Sequence, residues 1–576
     1  MSPRRLLFIF LGALTIFRLV YLTQFELSPD ETYYFQWSQH LDLSYYSKGP
    51  GIALAMWFGT LLGGDTVFGI RFLSPLLGLG TSLLMFGFAR RLYGETVAFW
   101  AVFAIQFVPI FQVGGLVLTI DPLSIFFWMA ALYTFWLALE KGPAFSGWWP
   151  LTGALIGAGF LAKYTNAIQL LSIVLLLAVT PKHRRELWRA GFLSLLGVFA
   201  LFTIPVLVWN SQHAWITVMH LRDRGGLSTG PQFHPTEFLT YLGLHLGVYS
   251  PLIFIGLFWC LGWAWKKAGP HFKPRFLLAF TLPLFAIYFA LSFKQTGEPN
   301  WTAPASLSLV VLAVAFWLEQ AREKKWARIY VVAALALGGV MSVVAIDMDL
   351  PRRAGFPLSY DSDPSSRLRG WRTTAEQVQR VREKYEAEHG QPVFLIADKY
   401  ATAASLGFYL PDPRREGPGH PPVYVPESAW PGNQFYFWPR YDGMVDFTEI
   451  AREKLRPGND LDPALRTELA TALAELPPLD QPAPDPALLR RFLAALKIAA
   501  PELGIDAYYT ETMGYNPFLG RTALYITDRP ESEPASVIER TFARREIIAC
   551  FNVMRRGQPL RQIRVFACSE YRMQEL

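Results

Sequence analysis

The chain has 576 residues, of which 52% are hydrophobic, 15% are aromatic and only 17% are charged. Soluble domains carry about 25% charged residues, so this composition excludes a chain that is exposed to water along its whole length. The formal net charge is +7, but the basic residues fall in alternate loops between apolar segments, which is typical of membrane topology rather than of nucleic-acid binding.

Long apolar runs recur from the start of the chain to about residue 346. A membrane-spanning helix needs roughly 20 apolar residues, within a range of about 17–25. The sequence therefore predicts about eleven spans, of which the fifth and sixth are short and are expected to tilt, to pair or to be re-entrant. The runs are Leu6–Leu22, Val67–Phe88, Val97–Phe111, Pro122–Leu139, Trp148–Leu161, Ala167–Val179, Phe192–Trp209, Phe238–Trp265, Phe276–Phe293, Ala303–Leu318 and Ile329–Ile346.

The first run has two interpretations. Arg4 and Arg5 could form the basic start of a signal peptide, but the far end, "LVYLTQFELSP", lacks a small-x-small cleavage signature. We therefore expect this run to remain as an anchor.

The distribution of basic residues predicts the orientation of the chain. Basic clusters near residues 4, 90, 184, 267 and 324 all fall on one side of an eleven-span chain. This predicts a multi-pass membrane protein with a cytoplasmic N-terminus, and it places everything after residue 350 outside the cytoplasm.

The remainder, residues 351–576, is predicted to be a separate soluble α/β domain. "PVFLIADKY", "RTALYITDR", "REIIACFNVM" and "RQIRVFAC" favour strands, whereas "ALRTELATALAEL" and "ALLRRFLAALKIAA" favour amphipathic helices. "LPPLDQPAPDP" is typical of an internal linker. Cys550 and Cys568 lie on two strands that could form a hairpin, so either a disulfide or two buried free thiols would be consistent with the sequence.

The first outward loop, residues 23–66, has an unusual composition. It contains the acid pair Asp30 and Glu31 in "SPDETYYF", Lys48 in "SKGPG", and an apolar stretch, Ile52–Leu62, that is too short to span and favours an interfacial helix. A carboxylate at the membrane boundary is partly desolvated and can act as a base, and a lysine there can bind a lipid phosphate. Ordinary solvated acids are the alternative.

Two later polar interruptions lie on the same side of the membrane. Asp121 stands alone between two apolar runs in "LVLTIDPLSIFFW" and indicates either a functional acid or a helix N-cap. Lys163 in "GFLAKYTNAIQLL" indicates either a contact with an anionic headgroup or an amine that extends to the interface.

Two further outward segments contain candidate substrate-binding residues. Arg222 and Arg224 precede a Gly-Gly pair, which suits phosphate binding, although "RDR" is also common on exposed surfaces. The stretch "GEPNWTAP" contributes three more polar or aromatic candidates. These are Glu298, Asn300 and Trp301.

The sequence gives little support for a metal. Histidines in the outward segment around residues 213–245 do not match a standard zinc spacing. No cofactor is predicted, and a divalent metal is left open without support.

Taken together, these motifs resemble a known family. "SPDETYYFQWSQHLDLSYYSKGPGIA", "LTIDPL", "GFLAKYT", "EPNWTAPASL", "IADKYATAASLGFYL" and "GNQFYFW" are similar to bacterial GT-C glycosyltransferases of family 39, the dolichyl-phosphate-mannose protein mannosyltransferase-like set. That set includes the enzyme that adds aminoarabinose to lipid A. The resemblance implies a GT-C membrane module over residues 1–350 and an extracytoplasmic domain over residues 351–576.

The resemblance also implies roles for individual residues. Asp30, with Glu31 and Asp121, would form the catalytic acids, and Lys48 and Lys163, together with Arg222 or Arg224, would bind the donor phosphate. Further candidate substrate contacts are Tyr33, Tyr34, Tyr46, Glu298, Asn300, Trp301, Asp398 and Tyr400. The sequence departs from the aminoarabinose branch, which has an arginine where Tyr33 stands and Glu-Lys-Pro-Pro in place of "SKGP".

The implied function is transfer of a sugar from a polyprenyl-phosphate donor to a hydroxyl or phosphate of an extracytoplasmic acceptor, either a glycolipid or a protein. The mechanism would be inverting, with Asp30 as the base. A lipid-linked sugar flippase or transporter is the alternative, but it predicts polar residues near the middle of the bilayer rather than at one face.

Overall fold

A computed structural model describes residues 2–226, 230, 232–356, 358–360, 363–417, 419–428, 430–443, 445–459, 461–476, 486–500, 514–516, 518–529 and 533–572. The chain divides into two compact units. The first comprises Met1–Arg372 with Arg555–Leu560, and the second comprises Thr373–Met554 with Arg561–Leu576. Most of the Pro-rich linker predicted at 476–486 lies outside the described residues.

The first unit is helical. Its helices are α1 (Pro3–Tyr21), α2 (Pro29–Ser38), α3 (Gly51–Gly63), α4 (Val67–Arg71), α5 (Leu73–Tyr93), α6 (Glu95–Ile105), α7 (Pro109–Gly114), α8 (Ile120–Glu140), α9 (Trp148–Ala162), α10 (Ile168–Val179), α11 (Ala190–Gln212), α12 (Ile216–Arg224), α13 (Pro235–Tyr249), α14 (Pro251–Ala268), α15 (Phe272–Leu291), α16 (Ala303–Glu323), α17 (Lys325–Ile346) and α18 (Asp349–Arg353).

Within the described residues, six helical segments are long and apolar enough to cross a membrane, and a bent pair, α13 with α14, raises the number to seven. Shorter apolar helices include α3, α6 and α9. The polytopic helical architecture predicted from the sequence is confirmed, whereas the count of eleven spans stays a prediction.

The helices at the centre of this unit differ from those at its edge. α8 and α16 are largely buried, whereas α11 and α17 are mostly exposed along their apolar surfaces. Because an apolar helix that is exposed in a membrane protein faces lipid, α11 and α17 are peripheral. The polar sites described below lie at the ends of the central helices.

Proline positions explain where two predicted spans break. The run Val97–Phe111 ends as a helix at Ile105, and α7 restarts at Pro109. The run Phe238–Trp265 bends by 110° between α13 and α14, where Ser250 (φ +70°) precedes Pro251. Proline supplies no backbone donor and disfavours helical geometry in the residue before it.

The second unit is the α/β domain that the sequence predicts. Four strands form one sheet in the order β1-β4-β6-β5, and β2 pairs with β3 in a small second sheet. The strands are β1 (Phe394–Ala397), β2 (Val445–Asp446), β3 (Gly514–Tyr515), β4 (Ala523–Thr527), β5 (Phe542–Arg555) and β6 (Gln558–Tyr571). The helices are α19 (Trp371–His389), α20 (Tyr400–Tyr409), α21 (Phe447–Lys454), α22 (Pro463–Glu475), α23 (Pro486–Ala499) and α24 (Ser536–Thr541).

The centre of the sheet is apolar on both faces. β1 runs parallel to β4, with Phe394 opposite Ala523, and β4 runs antiparallel to β6, with Ala523 opposite Cys568. Both β1 and β4 are buried throughout, as expected for strands covered on both faces. Cys550 and Cys568 lie on β5 and β6 but are both free thiols. The disulfide alternative is therefore wrong, and since Cys550 is exposed, only Cys568 fits the buried-thiol alternative.

Candidate active site

The acid pair lies at the start of α2, where local sequence fixes the helix end. Ser28 caps the helix by accepting from the Glu31 N–H, and Glu31 accepts from the Ser28 N–H, which completes a capping box. Pro29 occupies the first helical position, where a missing N–H costs nothing. At this helix end the side chain of Glu31 is buried, whereas the side chain of Asp30 is exposed.

Glu31 is fully buried and forms a two-point ion pair with Arg71. Glu31 Oε1 accepts from Arg71 Nε at 2.7 Å, and Oε2 accepts from Nη2 at 2.6 Å. Oε1 also accepts the Leu118 N–H at 3.1 Å. The remaining Arg71 donors bond to carbonyls of Leu22, Phe25 and Glu26. These contacts give Glu31 a scaffolding role that ties α2 to α4, and the catalytic role that the family resemblance implies stays a prediction.

Asp30 instead has an exposed side chain. Surrounding protein nevertheless desolvates its carboxyl group and raises its pKa, while the charges of Arg367 and Lys48 oppose that rise. Desolvation disfavours the charged form of a carboxyl group, so it makes the carboxylate of Asp30 a stronger proton acceptor. Asp30 therefore has the accessibility and the proton affinity that a general base needs.

Lys48 lies in the loop before α3 and is partly buried. Its Nζ donates to the Ser47 carbonyl at 3.1 Å. Desolvation lowers the pKa of Lys48 to about 8, with further lowering from Lys163 and Arg224 and an opposing effect from Asp121 and Asp30. Lys48 is therefore within electrostatic reach of residues from four other segments, Asp30 among them.

Asp121 and Lys163 form a second, partly buried ion pair. Lys163 Nζ donates to Asp121 Oδ1 at 2.7 Å, and Asn300 Nδ2 donates to Oδ2 at 2.7 Å. The N-cap of α8 is Thr119, so Asp121 is not the cap residue. Lys163 is only 6% exposed, which rules out a lysine that extends freely to the interface. Three segments that are distant in sequence thus meet at one carboxylate.

The two arginines of α12 differ from each other. Arg224 lies over the Trp301 ring at 5.7 Å and contributes to the positive field at Lys48. Arg222 is 60% exposed and pairs with Asp223 at 3.7 Å. The self-neutralised surface alternative therefore describes Arg222, whereas Arg224 belongs with the candidate site.

His220, also on α12, was missed in the sequence reasoning. Its ring lies 4.7 Å from the Tyr46 ring. Burial lowers the pKa of His220 to about 4, helped by Lys48 and Arg224. A neutral imidazole at this position adds a hydrogen-bonding group without adding charge.

The remaining predicted substrate contacts of the first unit differ in how far they are buried. Tyr33 and Tyr34 are buried and pack on Trp37 at 5.0 and 4.9 Å between ring centroids, so they are core residues rather than exposed contacts. Glu298 is exposed and precedes the short 3-10 turn that carries Asn300 and Trp301, without a capping hydrogen bond from its side chain.

Asp398 and Tyr400 belong to the second unit. Asp398 follows β1, and its Oδ2 accepts from the Thr527 hydroxyl at 3.1 Å. Tyr400 begins α20 and is 36% exposed. Their predicted role as substrate contacts stays a prediction.

Arg71 and Arg367 were also missed. Arg71 is an ionisable residue inside an apolar run, and this alone was a usable signal of a buried partner. Arg367 gave no local signal, because its association with Asp30 depends on a segment more than 300 residues away in sequence. That segment is held to the first loop where the Glu26 N–H donates to the Leu368 carbonyl at 3.1 Å.

Within the described part of the chain, no group of three or more His, Cys, Asp or Glu side chains could hold a metal ion.

Comparison with known proteins supports the resemblance. Residues 47–209 match the family model for dolichyl-phosphate-mannose-protein mannosyltransferase. A lipid A galacturonosyltransferase, RgtD, from Rhizobium johnstonii is 25% identical over 440 residues, covering 75% of this chain and 88% of that protein. An undecaprenyl phosphate-alpha-4-amino-4-deoxy-L-arabinose arabinosyl transferase from Edwardsiella ictaluri is 24% identical over 316 residues, covering 50% of this chain and 55% of that protein.

Among solved structures, ArnT from Cupriavidus metallidurans in the apo state has a TM-score of 0.55 at 15% sequence identity, covering 98% of each chain. The chain thus has the fold of a GT-C multi-pass inner-membrane protein with a C-terminal sheet domain. It is a glycosyltransferase, and its residues 47–209 are similar to the dolichyl-phosphate-mannose-protein mannosyltransferases, as the motifs predict.

Proposed function

We propose that this enzyme transfers a sugar from a polyprenyl-phosphate donor to an acceptor hydroxyl on the extracytoplasmic side of the inner membrane. The observation that carries the proposal is that Lys48 lies within electrostatic reach of Asp30, Lys163 and Arg224. An exposed base beside several cations suits a reaction in which a proton and an anionic leaving group depart in different directions.

The reaction step follows from these charges. The acceptor oxygen attacks the anomeric carbon and forms the new glycosidic bond, while the bond from that carbon to the phosphate oxygen breaks. Asp30 takes the hydroxyl proton, an effect typically worth about 10²–10⁴-fold. The electron pair leaves with the polyprenyl phosphate, whose charge Lys48, Lys163 and Arg224 stabilise.

Asp121 has a positioning role in this scheme. Both of its oxygens are bonded, one to Lys163 and one to Asn300. It therefore holds Lys163 in place and limits that lysine's movement, rather than accepting a proton from the substrate.

For the substrates, we favour galacturonose as the sugar and lipid A as the acceptor. The relative that is matched over most of its length bears the name lipid A galacturonosyltransferase. The aminoarabinosyl transferases match over about half of their length. Tyr33 and "SKGP" also stand where that branch has other residues.

For the topology, we propose a cytoplasmic N-terminus and an extracytoplasmic second unit. The basic residues in the last turns of α5 and α14, and around the connection of α16 to α17, support this orientation.

The test is sugar transfer by purified protein in proteoliposomes. Wild type should transfer galacturonose from its polyprenyl-phosphate donor to lipid A, and should use an aminoarabinose donor poorly. Asp30→Asn should lose at least 10²-fold in kcat, whereas Asp65→Asn, a matched exposed acid of the same loop, should retain activity. Full activity in Asp30→Asn would refute the base assignment. Sugar crossing the liposome membrane with no glycosidic bond formed would instead favour a flippase.

A further inference from the structure

An apolar cavity lies among the helices of the first unit, and none of the candidate active-site residues lines it. Its volume is about 290 Å³, and it is formed between α6, α14, α16 and α17. Its lining is almost entirely apolar and includes Trp100, Leu257, Ala313, Trp317 and Val331.

The indole of Trp317 and the hydroxyl of Tyr330, two polar groups of the cavity wall, are already satisfied by the protein. Trp317 Nε1 donates to the Gly256 carbonyl at 3.0 Å, and the Tyr330 hydroxyl donates to the Leu252 carbonyl at 2.6 Å. The two rings stack at 4.6 Å. Gly256 leaves room for the stacked rings, since a Cβ at this position would meet the Tyr330 ring at 3.1 Å. A wall with few free polar groups suits an apolar occupant, because a polar one would lose its hydrogen bonds.

The dimensions of the cavity match one leaflet. Its wall on α16 runs from Val310 to Ala321, a rise of about 16 Å at 1.5 Å per residue. Half of the hydrocarbon core is about 15 Å thick. The cavity therefore has the length of an acyl chain that enters from one side of the membrane.

A cation lies at one end of the cavity. Arg328 lines it beside Ala321, and its guanidinium donates to the carbonyls of Ala321 at 2.5 Å and Arg322 at 3.0 Å. A guanidinium has five N–H donors, so three remain after these two bonds, and the side chain is exposed. Other charges on this connection are Glu319, Arg322, Glu323, Lys324 and Lys325, a mixture with a net positive sign.

We propose that this cavity binds one anionic phospholipid of the leaflet at the α16–α17 connection, with an acyl chain in the cavity and its phosphate on Arg328. In the orientation proposed above, this is the cytoplasmic leaflet, opposite the sugar-transfer site. The lipid stabilises α17 against the rest of the unit, because α17 is otherwise mostly exposed.

Native mass spectrometry of the full-length protein tests this proposal. After delipidation, added phosphatidylglycerol should bind as one tightly held copy, at least tenfold more tightly than phosphatidylethanolamine. Arg328→Gln should abolish that preference, whereas Lys325→Gln, on the same connection but outside the cavity, should retain it. Equal effects of these two substitutions would overturn the assignment of the phosphate to Arg328.

Filling the cavity tests the acyl-chain assignment separately. Ala313→Trp, or Val331→Trp if the first variant fails to fold, should lose the tightly held copy. Val340→Trp on the exposed surface of α17 should keep it. Retention of the lipid in a folded cavity-filling variant would overturn the proposal. Displacement of phosphatidylglycerol by undecaprenyl phosphate would also overturn it, because the cavity would then be a site for the donor's tail.

Discussion

At the scale of single residues, the two adjacent acids of the first loop have opposite properties. Glu31 is inaccessible and fully bonded, whereas Asp30 is exposed and lies in the field of Lys48 and Arg367. Sequence reasoning identified the pair but could not separate its members, because the separation depends on Arg71, which is distant in sequence. A capping box at Ser28 was the one local signal that Glu31 points back toward the helix end.

The buried pair makes a prediction about stability. Removing one partner of a fully buried ion pair leaves an uncompensated charge and typically costs about 3–5 kcal/mol. Arg71→Met should therefore lower the Tm of the detergent-solubilised protein by several degrees, while Asp30→Asn should leave it nearly unchanged. Arg71→Met combined with Glu31→Gln should recover part of the loss. An unchanged Tm in the single Arg71→Met variant would contradict the scaffolding role.

The titration of Lys48 makes a prediction about pH dependence. Its pKa of about 8 means that the ammonium loses its proton, and with it the attraction to phosphate, as the pH rises through 8. The pKa of Asp30 is raised, so as the pH falls its carboxylate is protonated, and the base is lost, at a higher pH than is usual for an aspartate. The kcat/KM profile should therefore be bell-shaped, with an alkaline limb near pH 8.

Lys48→Arg provides the check on that assignment, because a guanidinium stays charged throughout this range. The alkaline limb should move upward by more than one pH unit even if the maximal rate falls. If the alkaline limb stays near pH 8 in this variant, the limb reports the titration of a group other than Lys48.

At the scale of secondary-structure elements, the apolar runs predicted most helices, and proline positions explain two departures. Strand prediction in the second unit also succeeded, since β1, β4, β5 and β6 fall where the sequence placed them. The first unit nevertheless continues to Arg372, beyond the predicted boundary at 350. Contacts of Glu26 with Leu368 and Trp371 fix that extension, and no local pattern indicates them.

Just before this extension, a buried carboxylate has several arginine partners. Asp349 bonds to Arg352, Arg369 and Arg555 at 3.0, 3.1 and 2.6 Å. Burial alone would raise the pKa of Asp349, but the hydrogen bonds and charges of Arg555, Arg369 and Arg352 outweigh it and lower the pKa to about 2.

A carboxylate whose folded-state pKa is depressed stabilises the fold above its unfolded-state pKa of about 4 and loses that effect as the pH falls toward 2. Asp349→Asn should therefore lower the Tm at pH 7, and the difference from wild type should shrink in thermal melts below pH 4. A constant difference at all pH values would show that the charge of Asp349 is not what matters.

At the scale of the whole molecule, the topology rests on the distribution of basic residues and has a direct test. Of the three cysteines, Cys260 and Cys568 are buried and Cys550 is exposed. A membrane-impermeant maleimide should therefore label intact spheroplasts, and Cys550→Ser should remove most of the label. Labelling that requires permeabilised cells would place the second unit in the cytoplasm and reverse the proposed orientation.

The central claim at this scale is that Asp30 acts as the base, whereas Lys48 and the neighbouring cations bind the donor phosphate. The measurement that tests it most directly is the Kd of undecaprenyl phosphate for wild type, Lys48→Gln and Asp30→Asn, each with an unchanged Tm. Lys48→Gln should weaken binding at least tenfold, about 1.4 kcal/mol, while Asp30→Asn should bind as tightly as wild type or more tightly, because a nearby negative charge has been removed. Equal affinity in wild type and Lys48→Gln, or lost binding in Asp30→Asn, would contradict the account.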